Sequence, residues 1–438
     1  MGTMTGTDPY VPGHGDASYD VSHYVLDLGY RPEGNRLDGE ATLTCVAVDD
    51  VVRLRLDLHH LRVSRVSVDG KPPARYTHRD GGVAIWLDSP IAAGTEFEVR
   101  VKYSGQPAVM KSKTLGDAGW EELTDGVIVA AQPHGAPSWF PCNDRPDDKA
   151  TYDFTVTAPA GYEVALSGDL VGTSRRSSAV SWRYEQRAPM ATYLATCQIG
   201  RYAVTEQDGP VPLRVLAPED VAGDGFDASF GRQPEMMRFF VDRFGAYPFD
   251  GYTTVITDDD LEIPLESQSL STFGRNFCVD SWDTIRLVAH EMAHQWFGNA
   301  VTLRRWQDIW LHEGFACYAE WLWSEESGGD SADDWARTHH KKLDGKDQDL
   351  LLADPGPELM FDDRVYKRGA LTLHALRVEL GEEPFFQLLR AWVAAHTGGS
   401  VTTEDFIGFC ESETGRDLTD LFDAWLFQTD LPPLPAAV

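Results

Sequence analysis

Two histidines four residues apart, His290 and His294, sit in the segment His290-Glu291-Met292-Ala293-His294. On a helix, residues i and i+4 share a face, so both imidazoles can reach one ion. Glu313 follows in Trp310-Leu311-His312-Glu313-Gly314-Phe315-Ala316, at the start of a second helical segment that can pack back on the first. Two imidazoles and a carboxylate make a ligand set for tetrahedral zinc with one position left open for chemistry. Glu291 comes directly after the first ligand and turns toward the open side. There it can take a proton from an attacking water and pass it to a leaving amine. Glu320, two helical turns beyond Glu313, is a candidate acceptor for the remaining ring N–H of a ligand imidazole; a solvated helix glutamate is an equal reading. His312 points to another face and reads as structural. Trp296, Phe297, Trp306 and Trp310 read as core.

These residues need elements to hold them, and the chain changes character along its length. Tyr24, Leu26, Leu28 and Tyr30 alternate with polar or smaller residues, the period of a half-buried strand. Further alternations run through Ala41 to Ala47, through Val52, Leu54, Leu56 and Leu58, through Phe97 to Tyr103, and through Tyr152 to Val156. Turn signals fall at Asn35, at Asp38-Gly39 and at Asp69-Gly70. Residues 1–205 are therefore expected to form one large antiparallel β domain. Beyond it, Pro234 to Phe244 and Asp283 to Phe297 carry helical spacing. Ser281 or Asp280 can cap the second of these, and Gly298-Asn299 can end it. From Tyr366 onward most of the chain reads as helix, with Thr402 and Asp405 as a capping box. Asp354-Pro355-Gly356-Pro357 is a loop, and the proline-rich tail after Leu431 cannot be helical.

Composition excludes several classes. The 438 residues carry a formal net charge of -31, with acids spread along the whole chain, which disfavours nucleic acid as a partner. No run of about 18 apolar residues exists, so no membrane helix is expected. The first residues lack a basic start and an apolar run, so no secretory signal is expected. Six scattered cysteines without CxxC spacing fit reduced thiols in a cytoplasm.

The motifs together resemble the aminopeptidase N and leukotriene hydrolase family of zinc metallopeptidases, over nearly the whole chain. HEMAHQWFGN (His290 to Asn299) and WLHEGFA (Trp310 to Ala316) match its metal motifs, with His312 where Asn is usual. SWFPCNDRPDDKATY (Ser138 to Tyr152) is similar to a signature of its β domain. VYKRGA (Val365 to Ala370) resembles the segment with its catalytic tyrosine, which lands on Tyr366. The resemblance implies an N-terminal all-β, saddle-like domain and, over residues 206–438, an α+β thermolysin-like catalytic domain that is mostly helical toward the C-terminus. It implies one zinc ion per chain and a peptide substrate with a free N-terminus.

In the family a glutamate within a Gly-x-Met-Glu-Asn motif anchors the substrate's α-amine. Here the stretch reads Ile263-Pro264-Leu265-Glu266-Ser267, so only that glutamate survives, as Glu266. Pro264 has no N–H to offer a substrate strand. Gln132 matches a family glutamine that helps bind the amine. The chain ends about 125 residues after Glu313, so the long helical domain of larger relatives is expected to be missing. An open cleft, tolerant of long peptides, is then expected. The rival readings are a thermolysin-like endopeptidase, a mixed exo/endo protease that processes leader peptides, a hydrolase for a non-peptide substrate, and a non-catalytic peptide-binding scaffold.

Overall fold

A computed structural model describes residues 8–79 and 81–435. The alternating segments form strands because each alternation leaves one face to bury. Tyr24, Leu26, Leu28 and Tyr30 point inward from the strand Tyr19–Arg31. Phe97, Val99, Val101 and Tyr103 do so from Glu96–Gly105, and Tyr152, Phe154 and Val156 from Ala150–Pro159. These strands belong to a seven-stranded sheet, ordered Asp169–Arg176, Ala179–Met190, Ala150–Pro159, Tyr19–Arg31, Arg36–Ala47, Glu96–Gly105, Arg62–Val68. A five-stranded and a three-stranded sheet complete the β part.

Three expectations need correction. The sheet is not purely antiparallel: Tyr19–Arg31 pairs with Ala150–Pro159 in parallel, His23 opposite Thr151. More than a hundred residues separate the two, enough chain for the crossover that parallel pairing requires. Asp38-Gly39 is no turn but lies inside the strand Arg36–Ala47. Gly39 is needed there because a Cβ would collide with the Tyr103 ring. Val52 is 59% exposed, because a bulge between Val51 and Arg53 shifts which residues face inward. Asp69 and Gly70 do make the tight turn, both at positive φ.

The strand Ala203–Gln207 already pairs with Leu213–Ala217 in a second sheet, so a boundary at 205 falls inside a strand. This mixed sheet runs Ala203–Gln207, Leu213–Ala217, Tyr252–Thr257, Leu270–Gly274, Leu265–Ser267, with the last strand on its edge. The helices are α1 (Asp224–Ala228), α2 (Gln233–Phe244), α3 (Trp282–Ala293), α4 (Trp310–Glu326), α5 (Ala332–Asp344), α6 (Asp363–Leu380), α7 (Glu382–His396), α8 (Thr403–Thr414) and α9 (Thr419–Leu426). The Thr402–Asp405 capping box opens α8. Ser281 stands at the start of α3 but makes no capping hydrogen bond. That helix also stops four residues short of Phe297. After His294 the bonds first tighten to i−3 (Gln295 N to Met292 O, 3.1 Å), the chain turns at Gly298, φ 129°, and the bonds then widen to i−5 (Asn299 N to His294 O, 3.0 Å).

Several contacts tie the β part to the helical part, among them Lys149 and Tyr10. The Lys149 ammonium donates to the carbonyls of Asn299 and Ala300, both at 3.1 Å, in the turn after α3. The Tyr10 hydroxyl donates to Asp354 Oδ1 at 2.5 Å and accepts from Gly356 N. Helices α4 and α6 cross at paired glycines: a Cβ on Gly369 would lie 2.7 Å from Gly314 Cα. Gly314 directly follows Glu313, and Gly369 lies one turn beyond Tyr366, so this close approach sets how near those two side chains come. Gly369→Ala is expected to force the helices apart at a cost of about 1–3 kcal/mol, as overpacking does. Denaturant titration should show a lowered midpoint with an unchanged slope; an unshifted midpoint would contradict the tight crossing.

Candidate active site

Helix α3 carries His290 and Glu291 inside its last turn, with His294 just beyond it. Glu313 comes from the first turn of α4, whose Phe315 packs on Phe297 in the turn after α3, ring centroids 4.5 Å apart. One ligand atom each from His290, His294 and Glu313 can be chosen so that all lie within 4.8 Å of one another. Glu313 Oε2 stands 3.3 Å from His290 Nε2 and 3.4 Å from His294 Nε2.

The remote ring nitrogens are already engaged. His290 Nδ1 lies 2.7 Å from Glu320 Oε1, and His294 Nδ1 lies 3.0 Å from the Phe297 carbonyl. Those oxygens only accept, so each Nδ1 carries a proton, and each Nε2, on giving up its own proton, can present a lone pair beside Glu313. The donor set and its orientation therefore fit zinc. Glu320 thus reaches back to His290 from α4, and Arg286 and Lys367 support it. Arg286 Nη1 lies 3.2 Å from Glu320 Oε2. Burial opposes the Glu320 carboxylate, but Lys367, His290 and Arg286 hold it down at about 2. Arg286 and Lys367 are missing from the sequence reading. Arg286 stands one turn before His290 and Lys367 adjoins Tyr366, but those local spacings do not show that both turn toward Glu320.

Burial opposes charge throughout the rest of the site, and neighbouring groups decide where it is overcome. Burial lifts the Glu291 carboxyl to about 8, with Glu266 adding to the rise. Glu291 is 4% exposed, and its Oε2 has no hydrogen-bond partner. Burial also opposes charge on both ligand imidazoles. Contacts with Glu313 and Glu320 nevertheless lift His290 to about 9, and Glu266 and Glu313 lift His294 to about 10. The same two rings outweigh burial at Glu313 and hold its carboxyl well below the usual range. Burial pushes His312 down to about 3. Its neutral Nε2 accepts from Leu303 N at 2.8 Å, in keeping with a structural role.

The remaining predicted residues converge on the same place. Glu266 lies on the edge strand Leu265–Ser267 and is buried; its carboxylate, one from Glu291 and a His294 nitrogen also fall within 4.8 Å of one another. Gln132 reaches across from the β part, its Nε2 2.6 Å from Glu266 Oε1. Tyr366, in the first turn of α6, lies over His290 with ring centroids 6.0 Å apart and planes 22° apart. Its hydroxyl is pushed well above 10 by burial and by the surrounding carboxylates of Glu313, Glu266 and Glu291. All these groups line one cleft.

Residues 228–425 match the peptidase family M1 domain, and residues 20–194 match the peptidase M1 N-terminal domain. The M1 zinc metallopeptidase of Deinococcus radiodurans, in a mutant form bound to a Tyr-Ser-Ala substrate, superposes with a TM-score of 0.89 at 31% identity. That likeness covers 98% of this chain and 99% of the other. The chain belongs to the M1 family of zinc metallopeptidases. Aminopeptidase N of Streptomyces lividans is 30% identical over 319 residues, 66% of this M1 peptidase and 36% of that protein. Aminopeptidase N of Lactococcus lactis subsp. lactis is 27% identical over 457 residues, 96% of this chain and 52% of that one. The M1 peptidase described here thus spans about half or less of the length of these curated relatives. A two-domain M1 zinc metallopeptidase bound to L-arginine has the same architecture, with a TM-score of 0.89 at 31% identity. No helix among the described residues is long and apolar enough to cross a membrane, and the cysteines are free.

Proposed function

We propose that this chain is an aminopeptidase that hydrolyses the first peptide bond of peptides with a free N-terminus, using one zinc ion held by His290, His294 and Glu313. When bound, zinc supplies Lewis acidity to the scissile carbonyl and acidifies the attacking water. The observation that carries the exopeptidase reading is the buried Glu266 carboxylate, held by Gln132 at 2.6 Å beside Glu291. An α-ammonium placed there gains a desolvated counter-charge, and its own carbonyl then falls next to the metal ligands. A peptide whose amine lies far from the cut leaves that carboxylate buried without a cation, which is costly.

Glu291 holds an oxygen free in the same space. It takes a proton from water as water attacks the carbonyl, then delivers a proton to the departing amine. Tyr366 keeps its proton and donates a hydrogen bond to the oxygen that becomes negative. Glu320, with Arg286 and Lys367 behind it, fixes the His290 ring. Free thiols, five of them buried, support a cytoplasmic location.

The test of the anchor is Glu266→Ala. Turnover of free-amine substrates is expected to fall roughly 10- to 100-fold, the scale of a lost charge-assisted contact, while residual action on N-acetylated peptides stays the same. Kinetics on a matched pair of free and acetylated peptides reads this directly. Equal losses on both members would remove Glu266 from the amine site.

A further inference from the structure

The cleft continues beyond the metal ligands as one cavity of about 920 Å³, and its outer wall is a run of stacked rings. Trp282, at the start of α3, stacks on Trp335 of α5 with centroids 5.8 Å apart and planes 24° apart. Trp335 stacks in turn on His339, one turn along α5, at 5.7 Å and 23°. His339 lies flat on Trp321 of α4 at 5.3 Å and 2°. All four line the cavity. Trp321 is buried, whereas Trp282, Trp335 and His339 keep surface open to solvent.

That openness is unusual for this chain. Of its thirteen tryptophans, only Trp86, Trp282 and Trp335 escape full burial. Trp86 is covered by the guanidiniums of Arg53 and Arg75, 5.1 and 4.0 Å from its ring. Among the described residues no cation covers Trp282 or Trp335. Exposed aromatic area in a cavity is unfavourable until something apolar displaces the water. The rings are also ordered in advance: Trp335 Nε1 donates to Ser324 Oγ at 2.9 Å, and that hydroxyl donates to the Asp330 carbonyl at 2.8 Å. A ligand that stacks there need not freeze the wall itself. Burial, reinforced by Lys367 and Lys342, pulls the His339 ring down to about 4, so at neutral pH it offers an uncharged face.

The rings are within reach of a bound peptide. From Trp282 to His290 helix α3 advances about 12 Å, at roughly 1.5 Å per residue. Extended chain covers that distance in about three to four residues. A peptide with its amine at Glu266 and its scissile carbonyl beside the metal ligands is therefore long enough to reach the wall with the first few residues beyond that bond.

We propose that the Trp282–Trp335–His339 ladder binds a large apolar or aromatic side chain on the leaving side of the scissile bond, so that the enzyme selects peptides by a residue beyond the one it removes. The proposal rests on the aminopeptidase reading above. It is tested with free peptides of constant N-terminal alanine and a glycine background, phenylalanine being placed in turn at positions two to five. The expected result is a gain in kcat/KM of about 10-fold or more at one of these positions, the size of discrimination an apolar pocket provides. It should appear mainly in KM. Trp335→Ala should abolish the gain and leave the all-glycine peptide within about twofold, and Trp335→Phe, which keeps a ring and disturbs packing less, should retain most of it. A gain at no position, a gain untouched by Trp335→Ala, or equal losses on both peptides overturns the ladder. Calorimetric titration of the same phenylalanine-scanned peptides separates the two readings, because it reads binding apart from turnover. Binding weakened by Trp335→Ala supports the ladder even if no peptide is cleaved, and equal binding to both proteins overturns it.

Discussion

Glu291→Gln is expected to keep its metal and lose about 10²–10⁴-fold in kcat, the range set by removal of a general base. The substitution preserves shape in a site where burial leaves little room. The imidazole orientations depend on Glu320 and on the Phe297 carbonyl, and neither depends on Glu291. What changes is one buried oxygen that has no hydrogen-bond partner in the resting site. An amide nitrogen there cannot accept a proton from water. Metal content by elemental analysis and turnover on a fluorogenic aminoacyl substrate measure the two halves of the expectation separately. Retained turnover would remove Glu291 from the chemistry. Lost metal would show that the carboxylate shapes the ligand set instead.

Tyr366→Phe is the second large effect, a fall of about 10²–10³-fold in kcat with KM nearly unchanged. Burial and three nearby carboxylates hold the phenol far from ionisation, so it acts as a donor throughout the accessible pH range. A donor next to three carboxylates gains most when negative charge develops on a substrate oxygen facing it, and little from the neutral carbonyl before that. The ring itself stays over His290 after the change, so ground-state contacts persist. Steady-state kinetics on the same substrate gives both constants. A raised KM with kcat intact would make Tyr366 a binding group.

The parts of this site legible in sequence are those whose geometry is local. His290 and His294 owe their convergence to helical spacing alone, and Glu320 faces His290 because it lies two turns along α4 from Glu313. Glu266 and Gln132 stand far apart in the chain and were found through motif resemblance, since no periodicity relates an edge strand to a loop of the β part. The support of Glu320 by Arg286 and Lys367 depends on how three helices dock, and single-helix patterns do not encode docking. Gly39 misread as a turn for a related reason: a glycine looks the same in sequence whether it supplies a positive φ or makes room for a tyrosine ring. The parallel pairing of Tyr19–Arg31 with Ala150–Pro159 escaped because alternation specifies which face is buried and says nothing about strand direction. The early end of α3 follows from a switch in hydrogen-bond span after His294 that leaves no compositional mark.

The central claim is that the cleft chooses peptides by their free amine. It is tested most directly by incubating the zinc-loaded protein with pairs of peptides that differ only in N-terminal acetylation and weighing the products by mass spectrometry over time. The account predicts that free peptides lose residues one at a time from the N-terminus while their acetylated partners persist. Internal fragments appearing from both members of a pair at comparable rates would contradict it.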